Sequence, residues 1–419
     1  MRGLSGLNKL LGFGLSMALL ALAALVAIPA MVRSSGAGAF GMIVLGQNFG
    51  AIGAMVVAYG WGISGPAEIA RGDTAARLLE FLSSVKVRAF LVLPVGLAVI
   101  VPSVLLANYR PDLAVVGALV AVLPGLTSNW FFIGLSRPYV LMLVETLPRV
   151  AFTVVGIAAM ETGSDAVIGL AWQGIGQVIA FGFSAAWILQ SLGYGRGNRP
   201  ALPGLGQLLR DYRSGVASNL GGSLFTALPL AIVTMTAPTA QPVFALVDKL
   251  QRQLQVSLSP IVAVMQGWVP QAEDPAARAR KVMVGAAGLA ILIAAVTFAL
   301  GGWALHLLGD GQLTPPTPVV ALMAVVLGLS FYVSSLGHAV LATYRKMRAL
   351  AVSTLTGTVV AMPLVAVGAW GWGVMGALVA IVVGLLVQLV ISLTVAIRCL
   401  GQPIPASASA PVMGPDEIT

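Results

Sequence analysis

Asp248, Arg252, Gln255 and Ser259 recur at i, i+4, i+7 and i+11 of an otherwise apolar segment, FALVDKLQRQLQVSLSPIVAVMQGWV. On a helix they form one continuous polar stripe. Gln251 borders the stripe, and Lys249 lies about 100° round the helix from Asp248. A second set, Glu145 and Arg149, stands at i and i+4 of YVLMLVETLPRVAFTVVGIAAM, with Pro148 beside it. These two share a helix face, about 40° apart. They form either a local ion pair that fastens packing or part of a cavity wall. Arg33 closes another apolar run, where it meets either a cavity mouth or lipid phosphates. Taken together, Arg33, Arg149, Lys249 and Arg252 outweigh Glu145 and Asp248, a cationic balance that attracts phosphate and carboxylate groups. The residues offer binding chemistry and no catalytic constellation. Two histidines far apart, His306 and His338, give no metal-ligand spacing, and a lone Cys399 gives no disulfide.

Only 9% of the 419 residues are charged and 58% are hydrophobic. A soluble domain runs near 25% charged, so a water-facing surface cannot be covered here. Mean hydropathy of +0.96 agrees. The net charge of +9 comes from basic residues scattered between apolar runs, the pattern of membrane-protein loops, which excludes a soluble enzyme and a nucleic-acid binder. The first apolar run, from Leu10 to about Val32, is longer than a signal-peptide core of roughly 7–15 residues and reads as a retained first span.

A charged group at the bilayer centre costs roughly 2.5–3.5 kcal/mol, so the stripe residues need a helix that faces a bundle interior or water. About 20 apolar residues cross the hydrocarbon. Twelve such spans are predicted, at 11–32, 42–64, 89–108, 113–134, 139–160, 166–190, 214–237, 243–268, 282–304, 318–341, 349–370 and 373–396. The chain is thus predicted to be an all-α integral membrane protein with about twelve transmembrane helices in two six-helix lobes around a central cavity. The predicted lobes are 1–190 and 214–398, joined by a cytoplasmic linker at 191–213 and followed by a polar, Pro-rich tail at 399–419, expected to lack fixed structure. Alternate loops carry 18 Lys and Arg on one side, Arg71, Arg77, Lys86, Arg88 and Arg137 among them, and only Arg33 and Arg110 on the other. That places both termini in the cytoplasm, in the cell (inner, cytoplasmic) membrane. The eighth span fits this alternation; without it, the stripe would lie on an amphipathic surface helix. The break at Ala369–Gly373 is short enough to be a kink or a turn. Gln47, Asn48, Asn129, Gln173, Gln177, Asn219 and Gln388 read as helix–helix hydrogen bonding, and His338 as a packed or interfacial residue.

No nucleotide-binding loop is present, so transport must draw on an ion gradient, the membrane potential or the solute gradient. Residue patterns alone reach a secondary transporter of an anionic or polar solute. Four ordered stretches carry a resemblance beyond that: IPAMVRSSGAGAFGMIVLGQNFG (28–50), GWGISGPAEIARGD (60–73), WFFIGLSRPYVLMLVETLPRV (130–150) and FALVDKLQRQLQVSLSPIVAVMQGWVPQ (244–271). Over roughly residues 10–400 their order and spacing resemble the O-antigen and exopolysaccharide (Wzx-like) flippases of the multidrug/oligosaccharidyl-lipid/polysaccharide exporter superfamily. Ser34–Ser35 and Ile133 depart from that pattern. The resemblance implies alternating access and an undecaprenyl-diphosphate-linked glycan as the partner, with membrane lipids around it and polysaccharide polymerase machinery downstream. It also implies that Arg33, Arg149, Lys249 and Arg252, with Gln255 beside them in the cavity, hold the diphosphate or acidic sugars. Glu145 and Asp248 would then balance charge in the empty state and couple movement to H⁺ or Na⁺, with no other cofactor. An ion-coupled multidrug antiporter of the same superfamily is the alternative. A polysaccharide polymerase or ligase would need a large external loop, and the loops here are short.

Overall fold

The computed structural model describes residues 2–195, 200–269, 274–344 and 346–400, with side chains outside 2–11, 214–224, Gly267 and Pro275. Arg196, Arg199, Arg345, most of the tail and the side chains of Arg2, Lys9 and Asn219 lie outside that description. The described chain is helical throughout. Its helices are α1 (Arg2–Ser35), α2 (Ala37–Ala58), α3 (Trp61–Arg71), α4 (Thr74–Leu106), α5 (Pro111–Val122), α6 (Asn129–Gly134) and α7 (Pro138–Leu141). They continue as α8 (Leu147–Glu161), α9 (Ala166–Ser191), α10 (Leu205–Thr236), α11 (Gln241–Trp268), α12 (Pro275–Leu308), α13 (Thr317–Ser335) and α14 (Met347–Cys399). Two π turns, Met142–Thr146 and Leu336–Leu341, join α7 to α8 and extend α13.

Among the described residues nine helical segments are long and apolar enough to cross a membrane. The last of these, α14, contains two crossings. Trp372 (φ −134°) and Gly373 (φ 57°, ψ −133°) leave the helical region, and the two arms fold back antiparallel. Ser392 Oγ donates to Ser353 Oγ at 3.1 Å, and a Cβ on Gly368 would stand 2.5 Å from the Gly376 carbonyl oxygen. The Ala369–Gly373 break is therefore a turn. Gly373 is needed there because its φ is one that side chains with a Cβ rarely adopt. Helices α10 and α11 complete the bundle: among the described residues Phe225–Thr236 is an apolar stretch of α10, and the polar stripe dilutes α11. The chain is a multi-pass membrane protein.

Three boundaries differ from those predicted. The span at 42–64 is interrupted by a left-handed turn at Tyr59 (φ 45°) and Gly60 (φ 88°). The Glu68–Arg88 run, expected as a connection, is helical from Thr74, because the Asp73 side chain accepts the Ala76 N–H at 2.8 Å and starts α4 there. Leu78, Phe81 and Val87 bury one face of that extension. Helix α9 ends at Ser191 and α10 begins at Leu205, so the first turns of α10 precede the predicted span.

The apolar cores show how the halves meet. One cluster joins residues of α1, α2 and α5 to residues of α10 through α14, all near the end of the bundle that carries Arg33. At the opposite end the cores are separate. Trp61, Phe81, Trp130 and Phe131 form one with Leu208 of α10, and Val269, Met283, Leu341 and Tyr344 form another. Burial thus holds the halves together at the Arg33 end and leaves them independently packed at the other.

Candidate functional site

Helix α11 is amphipathic in the way its stripe requires. Phe244, Leu246, Val247 and Leu250 are buried in the shared core, which turns Asp248, Arg252, Gln255 and Ser259 toward space between helices. Asp248 is held on two sides: Arg252 Nε donates to its Oδ2 at 2.9 Å, and Asn48 Nδ2 of α2 donates to the same oxygen at 3.3 Å. Arg252 also donates to the Thr226 carbonyl of α10. Lys249 points away from the stripe and donates to Gln47 Oε1 of α2. Asp248, Arg252 and Gln255 border a small pocket with Phe225, Thr226 and Ser330. Gln255 and Ser259 also line an adjoining cavity of about 550 Å³ between α10, α11, α13 and α14. Its polar lining further includes Gln266, Ser334, His338, Thr354 and Gln388, with no carboxylate, Lys or Arg among the described residues.

Arg33 lies elsewhere. At the end of α1 its guanidinium donates to Glu161, at the end of α8, and to Asp310 Oδ1 at 2.6 Å. Asp310 sits just after α12 with φ 52°, an uncommon backbone state for a residue with a side chain. Arg33 thus ties the first half to Asp310 of the second at the end where the halves share a core, with Glu161 holding the guanidinium from within the first half. Below them an apolar groove of about 720 Å³ runs between α1, α8, α11 and α12, lined by Leu22, Val26, Leu254, Leu300 and Trp303.

Glu145 and Arg149 are inside the first half. Glu145 is 3% exposed and accepts from Ser184 Oγ of α9 at 3.3 Å. Among the described residues no salt bridge within 4 Å joins it to Arg149, whose Nε is buried without a hydrogen-bond partner, although the opposite charges remain near enough to interact. The π turn Met142–Thr146 adds a residue to the helical turn and Pro148 removes a backbone N–H, so i and i+4 no longer stack as on a regular helix. The close ion pair that the spacing allowed is absent from the described geometry. Arg88, counted with the loop cations, is likewise buried, at 2% exposure. Its guanidinium lies between the Trp61 and Trp130 rings, 5.7 and 5.5 Å from their centroids, and donates to the Thr127 carbonyl at 2.8 Å.

The seven residues singled out from the sequence therefore do not share one cavity. Asp248, Arg252 and Gln255 do; Lys249 is turned to α2, Arg33 to the closed end, and Glu145 and Arg149 to the interior of the first half. The expected cationic surplus is not gathered, because each basic group near the cavity is engaged by Asp248, Gln47 or a backbone carbonyl. Glu161 and Asp310 as partners of Arg33, and Gln388 and His338 as cavity lining, were not singled out for those roles. Loop carboxylates at helix ends have no periodicity, and isolated polar residues in apolar runs do not reveal which way they face.

No family model matches the chain, and no curated protein matches it in sequence. Solved structures do match in fold. An inward-facing conformation of a multidrug resistance MATE family transporter of the MOP superfamily aligns with TM-score 0.68 and 14% identity, covering 94% of this chain and 98% of that one. An outward-facing conformation of such a transporter gives 0.53 at 14% identity, over 94% and 95% of the two chains. A MOP superfamily transporter from Pyrococcus furiosus, described as having a binding pocket of reverse polarity that suggests a different function, gives 0.58 at 14% identity over 94% and 96%. The chain has the fold of MATE transporters and superposes better on the inward-facing structure than on the outward-facing one.

Proposed function

We propose that this protein exports an amphipathic solute across the cytoplasmic membrane by alternating access between its two halves, with both termini in the cytoplasm. One observation carries the reading: the polar wall of α11 runs from a pocket bordering the shared core into a cavity lined by residues of the separate second-half cores, while Arg33, Glu161 and Asp310 meet at the other end. That is the arrangement of a carrier loaded from one side and closed to the other. Asp248, engaged with Arg252, and Glu145, buried in the first half, are the carboxyl groups placed to exchange H⁺ or Na⁺ during the cycle.

Two substrate classes follow from different observations. The fold neighbours, described as multidrug transporters, favour an ion-coupled antiporter of drug-like amphiphiles. The sequence resemblance and the amide- and hydroxyl-rich lining favour an undecaprenyl-diphosphate-linked oligosaccharide, its polar part in the cavity and its chain in the apolar groove or the bilayer. A deletion strain separates them. Raised sensitivity to lipophilic dyes with unchanged surface polysaccharide supports the antiporter, and accumulated lipid-linked glycan with unchanged dye sensitivity supports the flippase. No change in either phenotype, repeated in an Arg252→Ala strain, would overturn both.

A further inference from the structure

We infer that the 550 Å³ cavity in the second half is a subsite for an uncharged, hydroxyl-bearing group such as a sugar ring. The inference rests on the exporter reading above and specifies what part of the solute this half takes. The cavity falls within the roughly 300–1,000 Å³ typical of small-molecule sites. Gln255, Gln266, Ser330, Ser334, His338 and Gln388 all line it. They come from α11, from α13 with its π turn, and from the second arm of α14, so three elements converge on one space.

Three features point to a neutral ligand. The lining offers amide, hydroxyl and imidazole groups, which donate and accept at once, as the hydroxyls of a sugar do. Among the described residues no carboxylate, Lys or Arg lines it; the ion pair of Asp248 with Arg252 lies about one turn along α11 and is occupied with itself, Asn48 and Thr226. Gln388 is 4% exposed and its Nε2 has no hydrogen-bond partner. That nitrogen is closed off beside Gly357 of the first α14 arm, so Gln388 contributes to the cavity wall through its other atoms. Phe225 and Leu258 supply apolar surface on the same wall, suited to the C–H face of a ring.

The π turn is what presents His338. Within Leu336–Leu341 the neighbours Leu336, Ala339, Val340 and Leu341 are buried and Gly337 packs on Leu350, whereas His338 alone in that turn is exposed, and it lines the cavity. A regular α-helical turn there would rotate it by a different angle relative to Ser334.

The test uses the full chain in lipid nanodiscs and equilibrium binding of two radiolabelled probes, octyl glucoside and tetraphenylphosphonium. Gln388→Leu and His338→Phe should each weaken octyl glucoside about tenfold, as expected for a lost hydrogen bond at a buried site, and leave tetraphenylphosphonium unchanged. His338→Asn, which keeps a donor and an acceptor, should restore most of the binding. If Gln388→Leu does not fold, Ser334→Val replaces it. Octyl glucoside binding equal in wild type and variants, or a parallel loss of both probes in variants that melt normally, overturns the subsite. Failure of the exporter reading is seen separately: wild-type proteoliposomes would then move neither probe against a gradient.

Discussion

At the scale of single residues, the decisive pair is Asp248 and Arg252. A partly buried ion pair gains from hydrogen bonds to each partner and loses heavily when one member is removed, since the other is left desolvated. Among the described residues, Arg252→Ala leaves Asp248 with Asn48 alone, and Asp248→Ala leaves Arg252 with the Thr226 carbonyl alone. Each single variant should destabilise the protein by about 3–5 kcal/mol and cut transport at least tenfold. The double variant should lose less stability than the two single losses added together. Thermal melting in detergent, with efflux from proteoliposomes, measures the cycle, and strict additivity would show that the two side chains do not interact. Tyr212 and Glu80 form a second informative pair, at the start of α10. The Tyr212 hydroxyl donates to Glu80 at 2.8 Å, Trp61 Nε1 donates to the same carboxylate at 2.8 Å, and the Trp61 and Tyr212 rings stack at 4.2 Å. Burial first, and then Glu80, push the Tyr212 hydroxyl above its usual range. This clasp fixes the beginning of α10 to the first half while its apolar end belongs to the second. Tyr212→Phe should therefore weaken the attachment by about 1–3 kcal/mol, read as a lower melting temperature, because Glu80 keeps its Trp61 donor but loses a buried one.

At the scale of elements, the small residues decide how near the helices come. A Cβ at Gly46 of α2 would stand 1.9 Å from the Ala114 carbonyl oxygen of α5, whereas nothing lies within 4 Å of one at Gly182. Gly46→Val should force α2 from α5 and destabilise by about 1–3 kcal/mol or prevent insertion, and Gly182→Ala should be neutral. Comparable melting temperatures for the two variants would contradict the close approach. The same elements show what could be read from the sequence. Span number and helical class were legible because twenty-residue apolar runs have one solution in a bilayer, hydrogen bonds satisfied within a helix. The stripe on α11 was legible because it is periodic. The fate of Arg88 was not: a basic residue beside Lys86 reads as a loop end, and only the tertiary fold brings Trp61 and Trp130 to either side of it. Nor was the separation of Glu145 from Arg149, since a π turn is a local choice between nearly equal hydrogen-bond patterns that spacing does not encode.

At the scale of the whole molecule, the question is what holds one end closed. The shared apolar core supplies most of the adhesion, and the Arg33 bridges to Glu161 and Asp310 add two ion pairs whose side chains are 29–44% exposed. Of these, only the Arg33–Asp310 pair crosses between the halves, and an exposed pair is worth about 0.2–1 kcal/mol, so it biases the open–closed balance at that end by up to about fivefold without determining it alone. A carrier needs such a bias: too strong a closure would stop the return stroke, and too weak a one would leak. Arg33→Ala should therefore leave the fold and melting temperature nearly intact while populating a state opened at the Arg33 end. Spin labels on Thr162→Cys, after α8, and Gln312→Cys, after α12, measure it directly, and the single native Cys399 is 1% exposed and so adds little background. The distance distribution should gain a longer component in Arg33→Ala, and raising the salt of the unmodified background should move it partway in the same direction, because screening weakens exposed pairs. An unchanged distribution in both conditions would assign the closure to the apolar core alone and leave Arg33 as a packing residue.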